Sequence, residues 1–392
     1  MTDTIATTEL AAEVSRDWAT PRVFGVTMIV ATVVPFVAAG AQWLTGKTVF
    51  FPLQGVIAFL ATIHVPLTGY LLFDRGVRDM MRQRPIALIV VPILIFAGCF
   101  VVFVSMAQQR QAGTAALLVY FALGVLAWNL WHFGKQNIGV YSFYRISQAQ
   151  ARMVPIEKRL IVATALLGAM ATLTLGSDPY IKAYAKASNF DDLMTLSKYV
   201  TFAGGVGQVV LFVVVVAVVI AQRSRHSWQS ALLFLLSTNY FFPQYLLAGG
   251  AAGSFIFACN TLGHGLQYCA FLGFHAGHDY EKKRELTRDW ARYLMPALFI
   301  VTALFVADFY LWQKVASVRG VGRVFSRWLR EPDLALSISD AIVTGILLNH
   351  FWLDSYLWRF KDARSRDWMH DRFSFLFRRP AGSPPPSIQA RS

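Results

Sequence analysis

Residues 85–107 read PIALIVVPILIFAGCFVVFVSMA, a stretch without one charged side chain. As a helix rising 1.5 Å per residue it is long enough to cross the roughly 30 Å hydrocarbon core of a bilayer. A membrane offers no water to backbone polar groups, so a span must close its own hydrogen bonds as a helix or join a closed barrel of roughly 10-residue alternating strands. This run is too long and too uniformly apolar for such a strand. Comparable runs lie near residues 22–44, 51–73, 114–134, 159–176, 198–221, 228–248, 252–274, 293–313 and 336–358. The expected fold class is therefore all-α: a polytopic helical membrane bundle of about ten transmembrane helices over residues 22–358. A short tail at 1–21 precedes it, and a basic, amphipathic and then disordered tail at 359–392 follows. With 56% hydrophobic and 15% charged residues in 392, a water-soluble domain of this length is excluded.

The formal charge of +14 does not point to nucleic acid, and no nucleic-acid partner is expected. Lys and Arg sit in short connections such as DRGVRDMMRQR (74–84) and HDYEKKRELTRDWAR (278–292), beside apolar runs. That distribution is a topology signal and a contact with anionic lipid. It predicts a multi-pass protein of the cell inner (plasma) membrane with both termini cytoplasmic. The basic segment 314–330 falls on the outer side of this scheme, as an interfacial helix or a sign that the count is off by one. Trp and Phe of the tail are expected to anchor at the lipid surface. Cys99, Cys259 and Cys269 lack the paired spacing of a disulfide framework or a zinc site.

Eight histidines divide into two groups. His226, His275, His278 and His370 fall in connections, at span ends or in the tail, where solvated or interfacial rings are expected. His64, His132, His264 and His350 lie in the second, fourth, eighth and tenth apolar runs, each in the later part of its run. Even-numbered spans share a direction, so the four imidazoles come to one level. Imidazole in lipid normally faces the bundle interior, a polar cavity or an ion, and neutral imidazole is a favoured ligand for iron, copper and zinc. A shared metal accounts for all four together.

Each of these histidines has a polar residue about one turn on, on the same helix face. Thr68 follows His64, Gln136 follows His132, Gln267 and Tyr268 follow His264, and Asp354 follows His350. Metal-bound histidines usually donate their second ring N–H, so Gln136, Gln267, Tyr268 and Asp354 are candidate cofactor-binding partners, Asp354 also a candidate ligand. The clustered HxxxH and HxxHH boxes of diiron desaturases are absent. Haem held by pairs of these histidines is the alternative cofactor.

The segments IHVPLTGYLLFD (63–74), WHFGKQN (131–137), LGHGLQYCAFL (262–272) and NHFWLDSYLWRFKD (349–362) resemble, in order, motifs of the Brp/Blh family of membrane β-carotene 15,15′-dioxygenases. The resemblance implies Fe(II) held by His64, His132 and His264, with His350 close to the centre and Asp354 behind it. Two features depart from the family: Asp74 stands ten residues beyond His64, and Tyr268 stands where the family has a second histidine on its third motif helix. The function this implies is an integral-membrane, non-haem iron oxygenase. Its substrate would be an apolar polyene, isoprenoid or lipid entering from the bilayer, and an electron-donating partner is compatible with that chemistry. Trp128, Trp131, Phe133, Phe271, Phe351 and Trp352 would line the tunnel. Two other classes stay open on sequence alone: a haem-binding electron-transfer protein using the same histidines, and a transporter lined by Asn239, Gln244, Asn260 and Asp308.

Overall fold

The computed structural model describes residues 20–45, 64–72, 74–108, 112–148, 150, 153–170, 191–243, 251–281 and 334–377. The expected span at 293–313, most of that at 51–73, the basic segment 314–330 and both chain ends lie outside the described residues. Among those described there is no strand; every regular element is helical.

In chain order the elements are α1 (Pro21–Thr45), α2 (His64–Leu71), α3 (Arg75–Gln83), a π-helical turn (Ile86–Val90), α4 (Val91–Gln108) and α5 (Ala112–Ser147). Then come α6 (155–170), α7 (Asp191–Ala221), α8 (Trp228–Thr238), α9 (Ala251–Glu281), α10 (Leu334–Leu357), α11 (Ala363–Arg372) and α12 (Ser374–Phe377). Among the described residues, three helices are long and apolar enough to cross a membrane: Pro21–Thr45, Ile86–Ser105 and Lys198–Ala221. Their valines stand out of the protein, Val30 at 56% exposure and Val213 at 62%, as lipid-facing side chains do.

Helices α5, α9 and α10 form the interior. α9 packs along α1, α10 packs along α4, and both meet α5 and α2. Helix α5 does not stop near residue 134, as its apolar run suggested, but continues through Ser147. Its polar extension is held by protein rather than water, since Asn137, Tyr141 and Arg145 are buried. Helix α8 ends at Thr238, capped by Asn239, short of the span expected to reach 248. Trp368 and Phe373, expected at the lipid surface, are buried with Met369 against Val140, Phe143 and Leu357.

Candidate metal centre

The sequence places His64 on α2, His132 on α5, His264 on α9 and His350 on α10, and the fold brings all four together. Ring centroids lie 4.7 Å apart for His64–His264, 4.9 Å for His64–His350, 5.0 Å for His132–His264 and 5.2 Å for His132–His350. The helices run in one direction. Seven to eleven residues past the histidines, Leu71, Phe143, Phe271 and Leu357 meet in one apolar cluster, which closes that end of the centre.

His64, His264 and His350 each offer a donor atom within 4.8 Å of the other two, and His132, His350 and Asp354 do the same. The two triads share His350. Asp354 Oδ2 lies 3.6 Å from His132 Nε2 and 3.8 Å from His350 Nε2. His132 Nε2, both nitrogens of His264 and His350 Nε2 are buried and have no hydrogen-bond partner. Leaving such an atom unpaired costs about 1–3 kcal/mol, a penalty that a cation would remove for several of them at once. Metal–imidazole bonds of about 2.1 Å put donors on opposite sides of an ion about 4.2 Å apart, so small ring rotations suffice. Four imidazoles and one carboxylate without a thiolate suit iron, copper or zinc. The residues present fit a metal ion.

Aromatic side chains hold the rings in place. Phe133 stacks on His264 at 4.3 Å and Phe351 lies 4.5 Å from His132, whereas Trp128 lies against Phe351 and is 37% exposed. Trp131 lies under the Lys135 ammonium. Glycine beside two of the histidines lets helices close in. A Cβ at Gly134 would sit 2.3 Å from the Ala165 side chain, and one at Gly263 would sit 2.9 Å from the Ala31 carbonyl.

A device in the α4–α10 contact fixes the rotation of α10. In the π turn Val91 N–H bonds Ile86 O, five residues back. The next donor in that register would serve Ala87 O, but Pro92 has none. The indole N–H of Trp352 takes its place at 2.7 Å, and Asn349 Nδ2 donates to Pro92 O at 3.1 Å. Both flank His350. Trp352 therefore acts on helix placement, a role that its expected place in a tunnel lining did not suggest.

The residues expected behind the rings divide. Gln136 donates to His264 O at 3.4 Å and Gln267 Oε1 at 3.3 Å, and Gln267 donates to Thr32 at 2.8 Å and Asn137 at 3.1 Å. These carboxamides tie α1, α5 and α9 together and bond no imidazole nitrogen. Thr68, on the face of His64, reaches across to His350 Nδ1 at 2.6 Å and donates to the Tyr268 hydroxyl at 2.9 Å. Tyr268 and Asp354 both belong to the centre's immediate surroundings.

Two histidines expected to be solvated are buried in ion-pair networks. His275 Nε2 lies 3.2 Å from Asp74 Oδ2, and the same carboxylate takes Arg372, Trp368 Nε1 at 3.0 Å and Val77 N–H at 3.1 Å. Burial pushes the Asp74 carboxyl upward. The His275 hydrogen bond, the Arg372 charge and the Val77 amide outweigh that and hold it at about 2. His226 Nε2 lies 3.2 Å from Glu157 Oε1, which also accepts from Arg145 at 2.8 Å. His370 is exposed as expected, and the His278 side chain lies outside the described residues. Spacing along one chain gives no signal for these pairs, because Asp74 and Arg372 meet only in the fold. Of the polar residues expected along a transport path, Asn239 bonds Leu235 O and Thr238, Asn260 is buried, and Gln244 and Asp308 lie outside the described residues.

No family model, curated protein or solved structure matches this chain.

Proposed function

We propose that the chain is an integral-membrane, non-haem iron oxygenase acting on an apolar polyene, isoprenoid or lipid. Its roughly ten helices would span the plasma membrane with both termini cytoplasmic. The observation that carries this reading is the meeting of three buried imidazoles, the part-buried His132 and Asp354, from four helices, as two donor triads that share His350. His64, His132, His264 and His350 would hold Fe(II), with Asp354 on the His132–His350 side. Bound there, the ion would supply activation of O₂.

The chain's own residues do the rest. Phe133 and Phe351 line the rings with apolar surface, so a hydrocarbon contacts no unpaired polar group on their side. The cluster of Phe143, Phe271, Leu357 and Phe373 keeps water from one end. Lipid-facing α1, α4 and α7 put a substrate dissolved in the bilayer next to the bundle. Splitting a carbon–carbon double bond with O₂ into two carbonyls places both oxygen atoms in product and needs no external reductant. Rings packed about 5 Å apart favour a single ion over a macrocycle wider than the cluster itself.

The test is incubation of iron-loaded protein in vesicles with a long conjugated polyene and O₂. The visible band of the polyene should bleach, with carbonyl products formed, in wild type and not in His132→Ala. Bleaching at equal rates in both, or in neither across polyene, isoprenoid and acyl substrates, would contradict the reading.

A further inference from the structure

Thr68 stands on the face of α2 that carries His64, yet its hydroxyl serves another helix. Its Oγ1 is 2.6 Å from His350 Nδ1 and 2.9 Å from Tyr268 Oη, to which it donates. A threonine hydroxyl has one proton. Spent on Tyr268, that proton leaves Oγ1 as the acceptor toward His350, so a neutral His350 must carry its hydrogen on Nδ1. The lone pair then sits on Nε2, the atom near Asp354 Oδ2 that has no hydrogen-bond partner. Reverse the chain and His350 would present N–H to the centre, where it could not ligate.

We infer that Thr68, set by the Tyr268 hydroxyl, is a positioning residue that selects the ligating tautomer and ring angle of His350. This rests on the metal reading above. Tyr268 is no ligand in this arrangement. It accepts the Thr68 proton, and its ring, 5.0 Å from that of His350, limits how far the imidazole can turn. Three side chains from α2, α9 and α10 thus form one lock around a single donor atom, and the lock exists only when those helices are assembled.

The experiment is anaerobic titration of the full-length protein in detergent with Co(II) as probe, reading affinity and ligand-field absorption. Loss of a hydrogen-bond partner behind a metal-bound histidine typically costs 10–100-fold in affinity. Thr68→Val should weaken Co(II) about tenfold or more and change the band pattern. Thr68→Ser, which keeps the hydroxyl, should restore both. Tyr268→Phe should weaken binding as well, because the Thr68 proton is then free to turn toward Nδ1, and the part of its loss that disappears in a His350→Ala background decides the matter if Thr68→Val does not fold. In a His350→Ala background Thr68→Val should add nothing, since it acts through that ring. Wild-type affinity and spectrum in Thr68→Val or Tyr268→Phe, a Ser variant as weak as the Val variant, or an equal Thr68→Val loss with and without His350 would overturn the inference alone. Unchanged Co(II) affinity in His350→Ala itself would overturn the metal reading beneath it.

Discussion

Gly263 immediately precedes His264, and replacing it with alanine tests whether helix spacing sets the centre. A Cβ there would lie 2.9 Å from Ala31 O and 2.7 Å from the Tyr240 hydroxyl, where ordinary contact begins at 3.4 Å. Ala31 O is backbone, so α9 must retreat from α1 by about half an ångström in a close-packed interior. His264 moves with it, and the proposed metal–ligand distances would tolerate only about 0.2 Å. Gly263→Ala is expected to lower Co(II) affinity by at least about tenfold, or ~1.4 kcal/mol. Overpacking should remove about 1–3 kcal/mol of stability. Gly273→Ala on the same helix is the control, because nothing lies within 4 Å of the added atom. The assays are Co(II) titration and denaturant unfolding of the metal-free protein in detergent. Wild-type binding and stability in Gly263→Ala, or equal damage from Gly273→Ala, would refute the reasoning.

Trp352→Phe keeps an aromatic ring but removes the donor to Ala87 O, and should cost about 1–3 kcal/mol of stability with a weaker centre; wild-type stability would show that the π turn does not key α10. Arg372→Ala leaves the buried Asp74 carboxylate short of its cation and should cost about 3–5 kcal/mol, seen as early unfolding in denaturant. Asp74 also sets an acid limb. Its carboxyl is held at about 2, below its unfolded value of 3.8, so its stabilisation is complete above pH 3.8 and is lost as pH falls toward 2. That loss amounts to about 2 kcal/mol, and Asp74→Asn should flatten the stability profile over this window.

The apolar runs at 22–44, 85–107 and 198–221 match, to within a few residues, the three long apolar helices among the described residues, because long uncharged segments declare themselves by composition alone. The level of His64, His132, His264 and His350 was legible too, from helix direction and rise. What lay behind the rings was not. Same-face spacing pairs Thr68 with His64 and Gln136 with His132, but the partners are His350 and the Gln267 carboxamide, on other helices. Burial of Arg145 and Arg372 was hidden for the same reason: a charge reads as solvated until its carboxylate, Glu157 or Asp74, arrives from elsewhere in the chain. The length of α5 was masked because its polar extension looks like a loop until its partners are in place.

The most direct measurement is metal analysis with an absorbance spectrum of the purified protein and its His132→Ala and His350→Ala variants. Iron in stoichiometric amount without a Soret band, and lost from both variants, is the predicted result. A Soret band, or metal content indifferent to both substitutions, would contradict the centre on which the account rests.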